Sequence, residues 1–457
     1  MDSPIASLCA VIIIETLAFA SNAAAQPWWT AATPEGLPER SVASNLPDHG
    51  DPAGIRKWLS DCGVIYGIEY TSDVLANVHG GLRTGEIFQG KVQPIVTIDF
   101  EKLAGLNGLT FSANFFQIHN TGRLQRDYVG GINTTAAIEA LPTTRLSEIW
   151  LEQRFADNKA SIRAGQLATD TEFFYSFMSS IVFLQSDWPT IVAANLPSGG
   201  AAYPLSTPGV RFKFEPDRDH AFLFAVLNGN PAGPGPGEAQ VRNRFGLNFR
   251  TQDPPFLIGE AQFRRNHGDG DNGLATTLKI GAWGHLGKFD DQRFAANGML
   301  IADPTGPGVP RKLSSNAGIY AVIDQQLYRP TDGDALSGVT AFSRIALSPS
   351  DRNLIDAYID GGIVFAGMIR QRPEDRFGVS VIYSRFSESV RAFDRDVNLF
   401  SATPVPIRDF EANLELTYQS QIVPGWTVQP DLQFIWHPSG NAARNAIVVG
   451  ARSLVRY

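Results

Sequence analysis

Cysteine is almost missing from this chain. Its two cysteines are Cys9, within an apolar N-terminal run, and Cys62. If the run is a cleaved signal, one cysteine remains, which excludes an intrachain disulfide and a metal site built from several cysteines. The sequence predicts no cofactor.

Long apolar runs are missing after residue 26. A transmembrane helix needs about 18 to 20 consecutive apolar residues, so the sequence excludes a bundle of such helices. Mean hydropathy is only -0.10, yet the chain carries 29 Phe, 11 Tyr and 8 Trp. Membrane-spanning strands alternate apolar and polar residues, so a β-barrel combines low mean hydropathy with aromatic girdles.

Positive charge is also scarce. The formal net charge is -8, which gives no basic surface typical of nucleic-acid binding. Arginine supplies 30 of the 38 basic residues, and its planar fork of donors suits a channel wall that contacts hydroxyl or carboxylate groups. A genomic preference for arginine codons would give the same excess.

The N-terminus has most features of a secretory signal. Residues 5–20 are apolar apart from Glu15, and Ala23-Ala24-Ala25 offers a cleavage site, although residues 1–4 lack Lys and Arg. The sequence predicts a signal peptide at 1–25, a Pro-rich lead-in at 26–60 and an outer-membrane β-barrel at 61–457. A retained N-terminal anchor is the alternative.

The last residues form a strand-like run that ends on an aromatic residue. In 446–457, apolar residues alternate along one face up to Tyr457. A barrel must pair its last strand with its first, so its C-terminus stays within the sheet. This pattern predicts an all-β, transmembrane antiparallel barrel of the bacterial outer membrane.

Period-two alternation continues through most of the chain. Residues 410–419 and 426–437 have one apolar and one polar face, and Pro424-Gly425 forms the turn of this predicted hairpin. A soluble β-sandwich would alternate in the same way. The export signal and strands long enough to cross a bilayer favour the barrel.

Seventeen segments qualify as strands, and an odd number indicates one error, which we place among the first ten; we therefore predict about 16 strands. They begin near Gly63, Val92, Leu109, Leu146, Ser161, Gly209, Ala221, Asn243, Phe256, Thr276, Asn316, Gly338, Leu354, Arg376, Phe410, Trp426 and Ala446. Long connections are predicted at 73–91, 120–145, 169–206, 287–315 and 388–408, outside the barrel or folded into its pore.

Several ordered blocks resemble the carbohydrate-selective porin family of OprB type. The blocks are 146–153, 163–174, 187–189, 195–205, 289–294, 348–353, 411–418 and 428–433. The resemblance covers about 58–457 and implies a sixteen-stranded porin in the Gram-negative outer membrane. Such a porin passes monosaccharides such as glucose, and similar small polar solutes, by passive facilitated diffusion.

The sequence gives less support to other classes of function. The sequence has no G-x-S-x-G or H-E-x-x-H motif, so we expect no enzyme. A general or organic-anion-preferring porin and a soluble periplasmic sugar-binding β-protein are the alternatives. The expected partners are carbohydrate solutes and outer-membrane lipid, with a homotrimer by analogy with general porins and no nucleic acid.

Candidate pore residues follow from strand parity. Glu148, Trp150 and Glu152 share one face of a strand, and the next strand carries Arg163. Hydroxyl partners beside an aromatic surface are what a sugar channel needs. The alternative is that Glu152 and Arg163 only neutralise each other while Trp150 lies in an interface girdle.

The connection 169–206 is too long for a passive turn and is predicted to fold inward as a constriction loop. It supplies Asp187 and Trp188 as further candidates for sugar contact, and Arg211 lies on the polar face of the strand that follows. The alternative is an external loop packed on its neighbours.

Overall fold

The computed structural model describes residues 37, 41–186, 188–268, 271–331 and 333–457. These residues form a closed antiparallel barrel of 16 strands, each paired with its neighbours in sequence, and the first strand pairs with the last. The predicted barrel is confirmed. The predicted signal at 1–25 lies outside the described residues. Among the residues that the structure describes, every helix is too short or too polar to cross a membrane.

The strands are β1 Val64–Gly80, β2 Gly85–Asp99, β3 Leu109–Asn120, β4 Thr143–Phe155, β5 Ala160–Leu167, β6 Thr207–Phe214, β7 His220–Asn228, β8 Pro255–Arg265, β9 Thr276–Ala295, β10 Pro310–Tyr328, β11 Gly338–Leu347, β12 Ile355–Ala366, β13 Arg376–Phe386, β14 Phe410–Val423, β15 Trp426–Trp436 and β16 Ala446–Arg456. The helices are α1 Ile55–Asp61, α2 Phe100–Ala104, α3 Phe177–Val182, α4 Thr190–Ala193, α5 Ala239–Arg242 and α6 Glu388–Phe400. Single 3-10 or π turns lie in the connections.

Closure of the barrel involves the last residue. The amide of Tyr457 donates to the carbonyl of Ile68 over 2.8 Å, and the amide of Ile68 donates back over 2.9 Å. The Tyr457 hydroxyl donates to the carbonyl of Gly50. The expectation that the chain ends within the sheet is confirmed, and pairing of β1 with β16 leaves no open sheet edge.

The apolar face of the alternating strands points outward. In β7, Phe222 and Phe224 are 43% and 48% exposed, whereas Ala221 and Leu223 beside them are 0% and 6% exposed. A sandwich would bury its larger apolar side chains between two sheets. An outward aromatic and aliphatic band is instead the surface that a barrel presents to lipid.

The connections differ in length between the two ends of the barrel. Turns at the end that carries the termini are short, such as 156–159 and 424–425, whereas the opposite end carries 121–142, 168–206, 229–254 and 387–409. The predictions of long connections at 73–91 and 287–315 are wrong, because the strands continue through most of both ranges. The ends of β9 and β10 are rich in charged residues that pair across the hairpin, as Lys312 does with Asp290 over 2.5 Å. Apolar alternation does not detect them.

The predicted strand near Asn243 is the surplus one. Residues 243–249 belong to the connection between β7 and β8 and follow an irregular path. The carbonyl of Phe245 nevertheless accepts a hydrogen bond from the amide of Leu146 in β4 over 3.0 Å. Leu146 has no partner in β5, because the pairing of β4 with β5 begins only at Ile149. Phe245, Leu247 and Phe249 are more than half exposed. The segment alternates because it fills a gap in the wall and faces lipid on one side.

We predict that Gly246→Ala weakens this part of the wall. Gly246 has a φ of +69°, and an added Cβ would lie 1.9 Å from the carbonyl oxygen of Leu146. The alanine must displace the segment, which removes the hydrogen bond to Leu146 at a cost of about 1–3 kcal/mol. The temperature at which the folded barrel converts to the unfolded form on a heat-modifiability gel should fall.

Gly237→Ala is the matched control. Gly237 lies in the same connection with a φ of +78°, and nothing lies within 4 Å of its added Cβ. Both alanines carry the cost of a positive φ. The variants therefore differ only in the collision of the added Cβ with the carbonyl of Leu146. Equal conversion temperatures for the two variants would contradict the role of the segment as part of the wall.

Candidate functional site

The connection 168–206, here the inserted segment, folds into the barrel. Its aromatic residues pack against the inner wall, where Phe174 stacks on Tyr320 with ring centroids 4.2 Å apart. Trp188 contacts Phe174 edge-on at 6.4 Å between centroids. The predicted inward folding is confirmed, and the alternative of an external loop is wrong.

Carboxylates on the inner wall hold the inserted segment. A segment inside a barrel has no strand partner, yet its buried N–H groups need acceptors. Carboxyl groups of the wall provide these acceptors. The pairs are Ala168 N to Glu148 at 2.9 Å, Phe174 N to Glu260 at 2.9 Å, Phe177 N to Asp324 at 3.1 Å, and Leu184 N and Gln185 N to Glu415 at 2.7 and 3.0 Å.

The connection 121–142 is held in the same way. Glu411 of β14 accepts from the amides of Ile132 and Asn133, both over 2.8 Å. The Thr190 hydroxyl donates to the side-chain oxygen of Asn133 over 2.8 Å. The two inward-folded connections are therefore joined to each other as well as to the wall.

These connections cover most of the inner wall from β7 to β15, where the inward side chains are largely buried. Partly exposed inward side chains include Lys91 and Gln93 of β2, Trp150 of β4 and Arg163 of β5.

Four charged side chains and one aromatic ring form a cluster at this partly exposed place on the wall. Arg163 pairs with Glu152 over 2.7 Å and lies 3.6 Å from Glu172 of the inserted segment. Arg211 pairs with the same two carboxylates over 3.2 and 2.9 Å. The guanidinium of Arg163 lies 3.9 Å above the centre of the Trp150 ring. Burial alone would raise the pKa of Glu172, and Arg163 and Arg211 hold it below its ordinary value.

The predicted site residues have different surroundings. Trp150 lies on the inner face under Arg163, so it is not a girdle residue, and Glu152 does pair with Arg163. Glu148 holds the start of the inserted segment, while Trp188 is 4% exposed and Arg211 is 1% exposed. Asp187 lies outside the described residues.

Lys91, Tyr203 and Asp170 form a group that the sequence did not reveal. The Lys91 ammonium lies 5.5 Å from the Tyr203 ring centre, and the Tyr203 amide donates to Asp170 over 2.7 Å. Burial raises the pKa of Asp170 to about 6. The alternation of side chains along β2 would have placed Lys91 on the inner face. Residues 73–91 were assigned to a connection, so this alternation was not considered.

Comparisons with known proteins agree with this architecture. Residues 87–457 match the model of "Carbohydrate-selective porin, OprB family". Porin B of Pseudomonas aeruginosa is 24% identical and covers 88% of this chain and 89% of its own length.

Two solved structures of Pseudomonas putida OprB share the fold. The high-pH structure superposes with a TM-score of 0.79 at 22% identity, over 88% of this chain and 96% of that one. The low-pH structure gives 0.52 at 17% identity, over 89% and 97%. The chain therefore belongs to the carbohydrate-selective porin family of OprB type and is a porin of the Gram-negative outer membrane for the passive diffusion of sugars.

Proposed function

We propose that monosaccharides such as glucose pass between the inserted segment and the wall of β16 and β1 to β5, in contact with Trp150 and Arg163. The observation that carries this proposal is the Arg163 guanidinium 3.9 Å above the Trp150 ring, with both side chains partly exposed on the inner face. An aromatic face suits the C–H surface of a pyranose, and a guanidinium donates to its hydroxyl rim. Such contacts are weak enough to release the solute.

The charges of the cluster favour neutral solutes. Two arginines face two glutamates, and each arginine is shared by both carboxylates. Balanced charge gives little net attraction for ions, whereas each group can exchange hydrogen bonds with hydroxyls. The family assignment likewise does not favour a general or anion-preferring porin.

The remaining candidates act through this pair. Arg211 positions Glu152 and Glu172, since it donates to both and to the Ser161 hydroxyl while fully buried. Glu148 and Trp188 hold the inserted segment in place. Asp187 stays a proposed contact without a described position.

We further propose a cleaved signal at 1–25, a lead-in at 26–60 and the barrel at 61–457, with no catalytic activity. Sequencing of the mature N-terminus tests the cleavage site. Analogy with general porins supports a homotrimer in contact with outer-membrane lipid, and native mass spectrometry from detergent tests the trimer.

We predict that Trp150→Ala reduces sugar selectivity. Loss of the aromatic contact should cost about 1 kcal/mol, which lowers the ratio of glucose to amino-acid entry about fivefold. Liposome swelling at matched osmolarity measures this ratio, with gluconate as an anionic solute. Fast glucose entry beside slow gluconate entry is expected for the wild type.

Trp436→Ala is the control for this variant. Trp436 lies on the outer face and is 39% exposed, so its loss should leave the ratio unchanged. Equal ratios for the Trp150→Ala protein and the wild type would contradict the proposed contact surface.

We predict that Glu415→Gln loosens the inserted segment. Glu415 accepts from the amides of Leu184 and Gln185 with its two carboxylate oxygens, and glutamine keeps only one acceptor. One buried N–H then lacks a partner, at a cost of about 1–3 kcal/mol. Conductance in planar bilayers should rise, and a trisaccharide that the wild type excludes should enter liposomes.

Glu86→Gln provides the control because Glu86 is exposed at the start of β2. It makes the same Glu-to-Gln exchange at a residue without a hydrogen bond to the inserted segment. If conductance and size limit stay at wild-type values in the Glu415→Gln protein, the segment does not depend on this carboxylate.

A further inference from the structure

A cavity lies between the inserted segment and the inner wall of β6 to β11. Its volume is about 150 Å³, which is room for roughly ten water molecules and hence for one monosaccharide. Its lining includes Tyr175, Phe177, Gln262, Arg264, Thr277 and Lys279.

The cavity is at the periplasmic end of the barrel. Ala275 and Leu336 line it and belong to the β8–β9 and β10–β11 turns. Both turns are at the end that carries the chain termini, and outer-membrane barrels place their short turns in the periplasm. Glu172 lines the cavity and also belongs to the Arg163 cluster, so the two sites adjoin.

One buried donor in the cavity has no acceptor. Arg264 is 8% exposed, and its Nη2 pairs with Glu215 over 2.9 Å, while its Nε has no hydrogen-bond partner. A buried N–H without a partner is costly. This N–H group is itself shielded from the open volume, so the hydrogen-bonding groups that line the cavity are those of side chains such as Gln262, Thr277 and Lys279.

The other groups favour a neutral polyol. Asp324 already accepts from the Ser176 hydroxyl and the Phe177 amide. The cavity is lined by charges of both signs, with Lys213, Arg264 and Lys279 beside Glu172 and Asp324, and Glu215 next to the cavity pairs with both Lys213 and Arg264. Tyr175 and Phe177 add aromatic surface beside these polar groups, as in sites that bind small polar ligands.

We propose that this cavity is an exit subsite that binds one neutral monosaccharide on the periplasmic side of the cluster. The proposal rests on the proposed function, since it takes the sugar as the solute. A second weak site next to the first lets a solute step from one to the other instead of leaving directly into water.

Thiol protection tests the subsite. The protein would carry Cys62→Ser with either Thr277→Cys in the cavity or Thr97→Cys as control. Thr97 is a partly exposed threonine near the periplasmic end of β2, outside the cavity lining. A small methanethiosulfonate reagent then labels the thiol of the folded protein with and without glucose or sucrose.

Glucose at a few times its Kd should slow labelling of the Thr277→Cys protein about fivefold, because protection scales as 1 + [L]/Kd. Sucrose, which exceeds the cavity, should not slow it, and the Thr97→Cys protein should label at one rate throughout. Equal slowing of both thiols would show general occupancy of the pore and overturn the subsite. No slowing by glucose, or a Thr277→Cys thiol that never reacts, would also overturn it.

These results are distinguishable from failure of the proposed function. The Trp150→Ala swelling ratio reports the cluster beside the passage and does not depend on the cavity. If Trp150→Ala lowers the swelling ratio as predicted while glucose does not protect the thiol of the Thr277→Cys protein, the subsite is rejected and the proposed function stands.

Discussion

The inserted segment needs hydrogen-bond acceptors for its backbone N–H groups, and the inner wall of the barrel must supply them. The inserted segment 168–206 has no neighbouring strand, and an unpaired buried N–H group costs free energy. The inner wall supplies Glu148, Glu260, Asp324 and Glu415 at the places where amides of the segment point outward from it. These carboxyl groups fix the position of the segment against the inner wall.

This arrangement makes the interior asymmetric. One side of the wall is covered and packed, with Phe174 and Trp188 in its core, and the proposed passage follows the face of β16 and β1 to β5. There the Trp150 ring under Arg163 offers an aromatic surface next to hydrogen-bonding groups. The part of β4 before Ile149 has no partner in β5, and residues 243–249 cover this unpaired edge.

Sequence reasoning identified the barrel because alternation and the terminal aromatic residue are local patterns. It wrongly predicted a strand near Asn243, where apolar residues alternate for another reason. Phe245 and Leu247 face lipid from an irregular segment that fills a gap in the wall. Charged strand ends such as that of β9 carry no apolar signal and were assigned to connections. The acceptor role of Glu415 was also invisible, since it depends on amides more than 200 residues away in sequence. Lys91 was missed because the first half of β2 was assigned to the connection 73–91, and the strand was predicted to begin only near Val92.

The most direct test of the account is a cross-link between the inserted segment and the wall. The side chains of Gln185 and Ser380 are hydrogen-bonded over 2.8 Å, so a short thiol cross-linker should join Gln185→Cys to Ser380→Cys in a Cys62→Ser background. We predict efficient cross-linking in the folded barrel and equal glucose entry into liposomes before and after it. Failure to cross-link, or loss of glucose entry once the segment is fixed, would contradict a passage between a docked segment and the opposite wall.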